Sequence, residues 1–474
     1  MKSKTAIATF WSLSDTFANV VLKFIFAIAI TRLLFPRDYG LVAYTGLFLG
    51  IATWLSDWGF GTALIQKKEA SDLDFSTGFL SNVVISLLFF FLYFVSASLV
   101  ADFFNEPELK NILRATSLNL VLNALCYIHQ IKLIKERQFK GITVTNFISS
   151  VISGSIGLAF AYGGYHYWAL IVQTLTGTLL RMFGLWYLVK WIPVLKFSWV
   201  SFKEQFSFGS KVFIQGLLES IFREIQSLII GKTYHTSALG NYSRGQKFYD
   251  LFVVQIGIAF NKVLYPTMVL KNGNHISHRD AYIKTYRLLF FIMAPLSLFL
   301  ILLSKPIILV LLTDKWVNAV PYMRLYCIAG FVFLLSYFNA TTTLSSNRPG
   351  LYLFIDVFQK FLIGISLLIT FKLGISAIVI GWLTAYYIYY ISYEIVMFKL
   401  GFYNTKKYMY MLQTILCLLP MVAFYFLSYY FISDPFLLLL INAIIQPILF
   451  FISNSFLKTE ALAEFRAVIV PFFK

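Results

Sequence analysis

Charged and polar side chains recur at four-residue steps inside two long apolar stretches of the sequence, residues 9–33 and 208–231. The first stretch holds Asp15, Asn19 and Lys23, and the second holds Gln215, Glu219 and Arg223. A helix of 3.6 residues per turn stacks such positions along one face. A charge in the hydrocarbon of a bilayer costs roughly 3 to more than 10 kcal/mol, so each must face a polar interior, pair, or reach the surface. The two stripes therefore predict a polar site inside a membrane protein.

Two bases, Lys23 and Arg223, are the candidates for binding an anionic ligand, because each lies deep in its stretch and ends its stripe. If the stripes are equivalent parts of a repeat, the bases lie across a pseudo-twofold axis, where transporters built from repeats bind substrate. The structural alternative is that each stripe clamps neighbouring helices together. A third base, Lys262, lies one turn from a predicted helix end and either reaches an anionic head group or extends to the interface.

Three carboxylates in these stretches are candidates for ion coupling, because an intramembrane carboxylate can carry a proton or a sodium ion. They are Asp15, Glu219 and Glu224. The five histidines and three cysteines lack metal-ligand spacing, and the sequence holds no phosphate-binding loop or nucleophile elbow. We therefore expect no metal site, no cofactor, and cysteines that are buried thiols.

The elements that position these residues are predicted to be membrane-spanning helices. Hydrophobic residues make up 59% of the chain and charged residues 13%, with a mean hydropathy of +0.75. Apolar runs that are long enough to cross a bilayer recur from end to end, about fourteen in number, and strand alternation is absent. The fold class is therefore expected to be an all-α integral membrane protein.

The distribution of basic residues predicts the orientation. Lys and Arg are concentrated in loops on the side of both termini, which the positive-inside rule assigns to the cytoplasm. Much of the net charge of +18 is explained by this topology and by attraction to anionic membrane lipids. Because the basic residues are spread over short loops with no basic domain, nucleic acid is not an expected partner.

An internal repeat divides the chain. Gly40 lies opposite Gly240 at an offset of 200 residues, and Arg114 lies opposite Arg324 at an offset of 210. Six predicted spans separate the repeats, and an even number of spans returns the chain to the same side of the membrane. The two repeats therefore have the same orientation and are related by an axis along the membrane normal. We expect two pseudo-symmetric six-helix lobes, residues 1–200 and 201–400, and an appended helix pair with a cytoplasmic tail at 401–474.

Aromatic residues mark two further features. The linker between the lobes, Lys190 to Phe206, is expected to be a strand or a helix lying at the cytoplasmic interface. The tyrosines near residue 390 predict an interfacial belt or, alternatively, a wall on which sugars stack. Asp356 and Lys360 are expected to pair, since they are four residues apart on one helix.

Two loops give the sequence a family resemblance. RLLFPRDYG, followed by DWGFG, and TYHTSALGNYSRGQKFYD in the second half resemble the corresponding loops of polysaccharide flippases of the Wzx type. The resemblance implies the multidrug/oligosaccharidyl-lipid/polysaccharide superfamily and residence in the bacterial cytoplasmic (inner) membrane. It further implies that an undecaprenyl-diphosphate-linked oligosaccharide moves to the outer leaflet by alternating access. The implied partners are this lipid-linked substrate, a polysaccharide polymerase and a chain-length regulator.

The polar stripes fit such a substrate. Lys23 and Arg223 would bind its diphosphate, and Asn19, Gln215 and Glu219 its hydroxyls. A multidrug or cation antiporter of the same superfamily is the alternative, although it favours a cavity led by carboxylates. An O-antigen polymerase or a polyprenyl-linked glycosyltransferase is less compatible, because such enzymes need longer outer loops. The sequence therefore predicts a transporter and not an enzyme.

Overall fold

A computed structural model describes residues 21–46, 48–50, 59–257, 275–402 and 405–469. All regular structure in these ranges is helical, which confirms the predicted all-α class. The first helices in chain order are α1 (21–33), α2 (Pro36–Ala43), α3 (Phe60–Gln66), α4 (Asp72–Phe104), α5 (Glu108–Lys135), α6 (Phe139–Tyr162), α7 (Trp168–Val189) and α8 (Trp199–Thr233).

The remaining helices follow with short connections. They are α9 (Thr236–Tyr249), which continues into a π-helical turn (Asp250–Val254), α10 (His275–Leu302), α11 (Ser304–Leu311), a 3₁₀ turn (Asp314–Ala319), α12 (Val320–Ser345), α13 (Pro349–Thr370), α14 (Ile375–Lys399), α15 (Thr405–Phe431), α16 (Pro435–Phe456) and α17 (Glu460–Ile469). The three cysteines, at positions 126, 327 and 417, are buried free thiols, as predicted.

Within the described ranges, nine helices are long and apolar enough to cross a membrane. They are α4, α6, α7, α10, α12 with the 3₁₀ turn before it, α13, α14, α15 and α16. Helices α5 and α8, with 28 and 35 residues, are long enough at about 1.5 Å per residue but carry more polar side chains. Three other predicted spans reach beyond the described residues. The chain is thus an all-helical, multi-pass membrane protein.

The chain divides into two compact units, Met1–Gly240 and Asn241–Lys474. Helix α8 packs against α3 and α4 in the first unit, although the predicted second lobe begins near its start. Asp74 of α4 explains this packing: its carboxylate accepts a hydrogen bond from Ser201 Oγ at 2.6 Å, and its main-chain oxygen accepts one from Gln205 at 3.1 Å. The first turns of α8 are therefore fixed to the first unit.

The linker between α7 and α8 differs from its prediction. Residues 190–198 form neither a strand nor a helix, and α8 begins only at Trp199. The main-chain amides of Val194 and Ser198 donate instead to Ser76 Oγ at 3.0 Å and Thr77 Oγ1 at 3.2 Å. Because side chains of α4 satisfy these amides, the segment needs no helical or sheet hydrogen bonds of its own.

The backbone repeats the turns of the first unit in the second, at the predicted offset of 210 residues. Arg137 after α5 and Asn347 after α12 both have left-handed φ angles, 58° and 59°. Gly164 after α6 and Gly374 after α13 also have positive φ, 75° and 109°. Equivalent turns at equivalent positions support the repeat independently of the side chains that suggested it.

Candidate functional site

The structure describes four of the predicted site residues in full. Lys23 lies on α1, and Glu219, Arg223 and Glu224 lie on α8. Asp15, Asn19 and Lys262 fall outside the described residues, and Gln215 lies on α8 with its side chain outside them. Within the described residues, the candidate site therefore consists of the α8 stripe and the elements packed against it.

Helix α8 has one charged face and one face of small residues. Glu219 and Arg223 are exposed, and the Arg223 side chain is 58% accessible. The adjoining face buries Gly209, Gly216 and Ser220. Small buried residues let helices approach closely in membranes, so this face packs on the bundle and the charged stripe lies along its edge.

The basic end of the stripe lies against two glycines. Arg223 Nε and Glu224 Oε1 are 3.4 Å apart, and the Glu224 side chain is half-buried. A Cβ placed on Gly46 would lie 3.0 Å from Glu224 Oε2, and one on Gly50 would lie 3.9 Å from Arg223 Nη2. The spacing of the charged residues does not point to these glycines, although their own spacing is the small-xxx-small pattern of close helix contacts.

Helix α1 carries the other predicted base. Lys23 is exposed, whereas Ile30 and Thr31 are fully buried further along the helix. The Phe26 ring packs so closely on Gly154 of α6 that a Cβ there would collide with it. This contact fixes the rotation of α1, with Lys23 on an exposed side of the first unit.

The two resemblance loops, which follow α1 and α8, meet within the first unit. A Cβ on Gly40 of α2 would collide with the main-chain oxygen of Thr236, and a Cβ on Gly240 of α9 would collide with that of Pro36. Each glycine contacts the residue four positions before the other. This reciprocal crossing joins the start of α9 to α2 within the first unit.

Polar contacts surround the glycine crossing. Arg37 Nη2 lies 3.2 Å from Glu106 and 3.1 Å from Glu108, and Glu106 also accepts a hydrogen bond from Thr236. Tyr44 donates to the main-chain oxygen of Gly231 at 2.8 Å. Because α2, α5, α8 and α9 all contribute, these contacts close one end of the first unit.

The other end of α8 is held by a second polar cluster. Lys67 Nζ lies 3.0 Å from both Asp74 and Glu204. Hydrogen bonds to these carboxylates, from Glu204 first and Asp74 second, raise the pKa of Lys67. A Cβ on Gly59, in the DWGFG loop, would collide with the backbone of Gly209, so α3 and α8 touch directly.

The second unit contains a buried ion pair that the sequence patterns do not predict. Lys407 Nζ of α15 lies 2.6 Å from Glu394 Oε2 of α14, and their side chains are only 3% and 12% exposed. Asn339 and Tyr408 each donate to the Glu394 carboxylate at 2.8 Å. The pair has no four-residue spacing because a turn separates its members, so a helical pattern search does not find it.

The tyrosines near residue 390 pack inside the second unit. Tyr389 is 7% exposed and Tyr393 is fully buried. Tyr390 forms a hydrogen bond with Tyr286 at 2.5 Å. The interfacial belt is therefore the wrong interpretation for these three, since belt tyrosines face the head groups.

Fold and site together define a multi-pass helical membrane protein with a charged stripe exposed along one helix. The chain belongs to the polysaccharide biosynthesis protein family, whose model matches residues 29–321, more than half of it. It is a membrane transport protein for polysaccharide biosynthesis. The predicted family resemblance is thus confirmed, and a transporter rather than an enzyme is established.

Individual relatives agree with this family. The chain is 26% identical over 334 residues to the teichuronic acid biosynthesis protein TuaB of Bacillus subtilis, covering 69% of this chain and 68% of TuaB. It is 21% identical over 368 residues to the lipopolysaccharide biosynthesis protein WzxC of Escherichia coli, covering 76% and 74%. Its fold matches lipid II flippase MurJ in an inward closed conformation with a TM-score of 0.75 at 16% identity, covering 95% and 98%.

Proposed function

We propose that this transporter flips an undecaprenyl-diphosphate-linked oligosaccharide from the cytoplasmic to the outer leaflet of the bacterial cytoplasmic membrane. Membership of the polysaccharide biosynthesis family and the fold of a lipid II flippase support the substrate class. The product is then available for assembly of cell-surface polysaccharide. A polysaccharide polymerase and a chain-length regulator are the partners that such a pathway needs.

The observation that carries the proposal is the exposure of Glu219 and Arg223 on one face of α8. Charges that faced hydrocarbon would cost several kcal/mol each, so an exposed charged stripe in a membrane helix requires a water-filled space. Such a cavity admits an anionic, sugar-bearing head group, while the lipid tail stays in the bilayer.

Each stripe residue then has a role in that cavity. Lys23 and Arg223 form charge-assisted hydrogen bonds with the diphosphate. Three polar residues, Asn19, Gln215 and Glu219, contact sugar hydroxyls. Lys262 assists entry of the head group near one membrane surface, and Asp15, Glu219 and Glu224 are the sites for a coupling proton or sodium ion.

The proposed architecture has about fourteen spans. Two six-helix lobes, 1–200 and 201–400, are followed by a helix pair at 401–474, with both termini in the cytoplasm. The lobes alternate between two packings, so that the cavity opens first to one side and then to the other.

The test is replacement of each proposed phosphate-binding base. We expect Lys23→Ala and Arg223→Ala each to reduce surface polysaccharide about 10- to 100-fold, the loss expected for a hydrogen bond to a charged group. Lipid-linked repeat units should accumulate on the cytoplasmic side, measured by extraction and mass spectrometry, while the protein remains in the membrane.

Matched controls are Lys68→Ala and Arg137→Ala, which remove exposed bases outside the stripes. These strains should make normal polymer. Wild-type polymer in both Lys23→Ala and Arg223→Ala strains would refute the cavity assignment.

A further inference from the structure

The segment that joins α7 to α8 combines three features that point to a lipid ligand. We define the interfacial segment as residues 190–203, which comprise the non-helical residues 190–198 and the first turn of α8. It belongs to the first compact unit and lies apart from the charged stripe.

The interfacial segment is fixed to the bundle at its two buried residues, Trp191 and Ser201. Trp191 is 9% exposed, and its ring centroid lies 6.1 Å from Phe75 and 5.3 Å from His129. Together with the amides of Val194 and Ser198, which α4 satisfies, this contact holds the segment in one conformation. The side chains between these anchors therefore have defined directions.

Most apolar side chains of the segment point outward. Their exposed fractions are 79% for Ile192, 87% for Leu195, 66% for Trp199 and 70% for Val200. A non-helical backbone does not occur in contact with the hydrocarbon core, because lipid tails offer no hydrogen-bond partners. The segment must therefore lie at the boundary between head groups and acyl chains, where exposed apolar side chains and tryptophan are favoured.

The charges of the segment are basic. Lys190, Lys196 and Lys203 are all exposed, and residues 190–203 contain no acidic residue. Glu204, which follows directly, is paired with Lys67. Each basic residue near a membrane surface gains about 1 kcal/mol from anionic lipid, so the three lysines complement anionic head groups.

We propose that the interfacial segment binds anionic phospholipid at the membrane surface it faces and thereby fixes the start of α8. Its apolar side chains enter the outer part of the acyl region, and its lysines contact the phosphates. Because α8 also carries Glu219 and Arg223, the bound lipid holds the charged stripe at a set depth in the membrane. This role does not depend on which substrate is transported.

The test uses the full-length protein in nanodiscs that mix phosphatidylglycerol with phosphatidylcholine, with bromine on the acyl chains of one lipid at a time. Bromine quenches tryptophan fluorescence at short range, and the signal of Trp199 is the difference between wild type and Trp199→Phe. We expect this signal to be quenched, and more strongly when phosphatidylglycerol carries the bromine. The buried Trp191, compared through Trp191→Phe, should be quenched far less.

The lysines are tested in the same nanodiscs. Replacing Lys190, Lys196 and Lys203 by Gln should lower the preference for brominated phosphatidylglycerol, by about fivefold for each lysine at low salt. The control replaces three exposed lysines elsewhere, Lys68, Lys372 and Lys458, and should keep the preference.

Two results would overturn the proposal. An unquenched Trp199 signal would mean that the segment does not contact the bilayer. Equal quenching by both brominated lipids in the wild-type protein would mean that it does not recognise anionic head groups, whatever the lysine variants do.

Discussion

The segments that follow α7 and α14 pack near equivalent residues of the two units, but by opposite chemistry. His129 of α5 and Asn339 of α12 are 210 residues apart and both are fully buried. His129 contacts both α7 and the segment after it. Asn339 contacts Glu394 of α14, and the segment after α14 contacts Glu394 through Lys407. His129 and Asn339 occupy equivalent positions but make different contacts.

The first unit uses neutral aromatic contacts. The His129 ring stacks on Trp186 of α7 with centroids 4.4 Å apart, and His129 Nε2 lies 3.2 Å from the main-chain oxygen of Trp191. Phe79 adds an edge contact at 5.9 Å. A loop that lies at the membrane surface is thus fixed by ring packing and one hydrogen bond.

The second unit uses an ion pair. Asn339 accepts from Tyr282 at 2.8 Å and donates to Glu394 at 2.8 Å, and Glu394 binds Lys407. The Lys407 amine also lies 3.9 Å from the centroid of the Tyr286 ring. The appended helix α15 is thereby joined to α10, α12 and α14.

This difference predicts different tolerance to mutation. Neutral packing loses stability in proportion to the atoms removed. A buried ion pair tolerates the loss of one member poorly, because the remaining side chain is left charged and unsolvated. The attachment of the appended helix should therefore be the more sensitive of the two equivalent contacts.

Breaking the ion pair should give the largest effect. Lys407→Met leaves Glu394 buried without its cation, and we expect a loss of about 3–5 kcal/mol in the free energy of unfolding. Steric trapping in bicelles measures that quantity. His129→Asn, which copies the second unit's residue into the first, removes no charge and should cost less.

The double variant Glu394→Gln/Lys407→Met separates charge from packing. It should recover much of the stability that Lys407→Met loses, since no unpaired charge remains. If the double variant were as unstable as the single one, the contrast between the two docking sites would rest on side-chain shape instead.

At the glycine crossing of α2 and α9, by contrast, the equivalent residues Gly40 and Gly240 are identical. Gly40→Ala and Gly240→Ala each place a methyl group against a main-chain oxygen that has little freedom to move. Overpacking of this kind costs about 1–3 kcal/mol, and we expect equal losses from the two variants. Thermal unfolding of the purified protein measures them.

The matched control is Gly364→Ala on α13, where a Cβ would meet no atom within 4 Å. Removing a glycine from an open helical position should stabilise the protein by about 0.5–1 kcal/mol. Strongly unequal losses at Gly40 and Gly240 would contradict the reciprocal geometry of the crossing.

The sequence predicted features that depend on regular spacing. Asp356 and Lys360, four residues apart on α13, form the expected ion pair. The 210-residue repeat, which Arg114 and Arg324 suggested, also appears in the contacts of these arginines: each side chain donates to an acceptor twenty residues earlier, the main-chain oxygen of Phe94 or Ser304 Oγ. The all-helical fold likewise followed from the apolar runs, while the number of spans stays a prediction.

Features that depend on contacts distant in sequence were not predictable. The linker conformation is set by Ser76 and Thr77 on another helix. The sequence around Lys407 does not indicate a buried ion pair, because its partner, Glu394, lies on the preceding helix across a turn. At the candidate site, four-residue spacing identified Glu219 and Arg223. It gave no sign that Gly46 and Gly50 would lie beside the stripe, since that contact joins separate helices.

The smallest expected effect tests the repeated turns. Arg137 and Asn347 have nearly the same left-handed φ, but asparagine tolerates that conformation far better than arginine does. Arg137→Gly should therefore raise the free energy of unfolding by about 0.5–1 kcal/mol, after the entropy cost of glycine, and Asn347→Gly should leave it nearly unchanged.

The control for this comparison is Arg137→Ala, which removes the exposed side chain and keeps the backbone strain. It should bring no gain, so that any stabilisation by Arg137→Gly is assigned to φ and not to the lost charge. Equal stabilisation of both turns by glycine would mean that Asn347 is as strained as Arg137. The repeat would then have kept the strain of its turns along with their geometry.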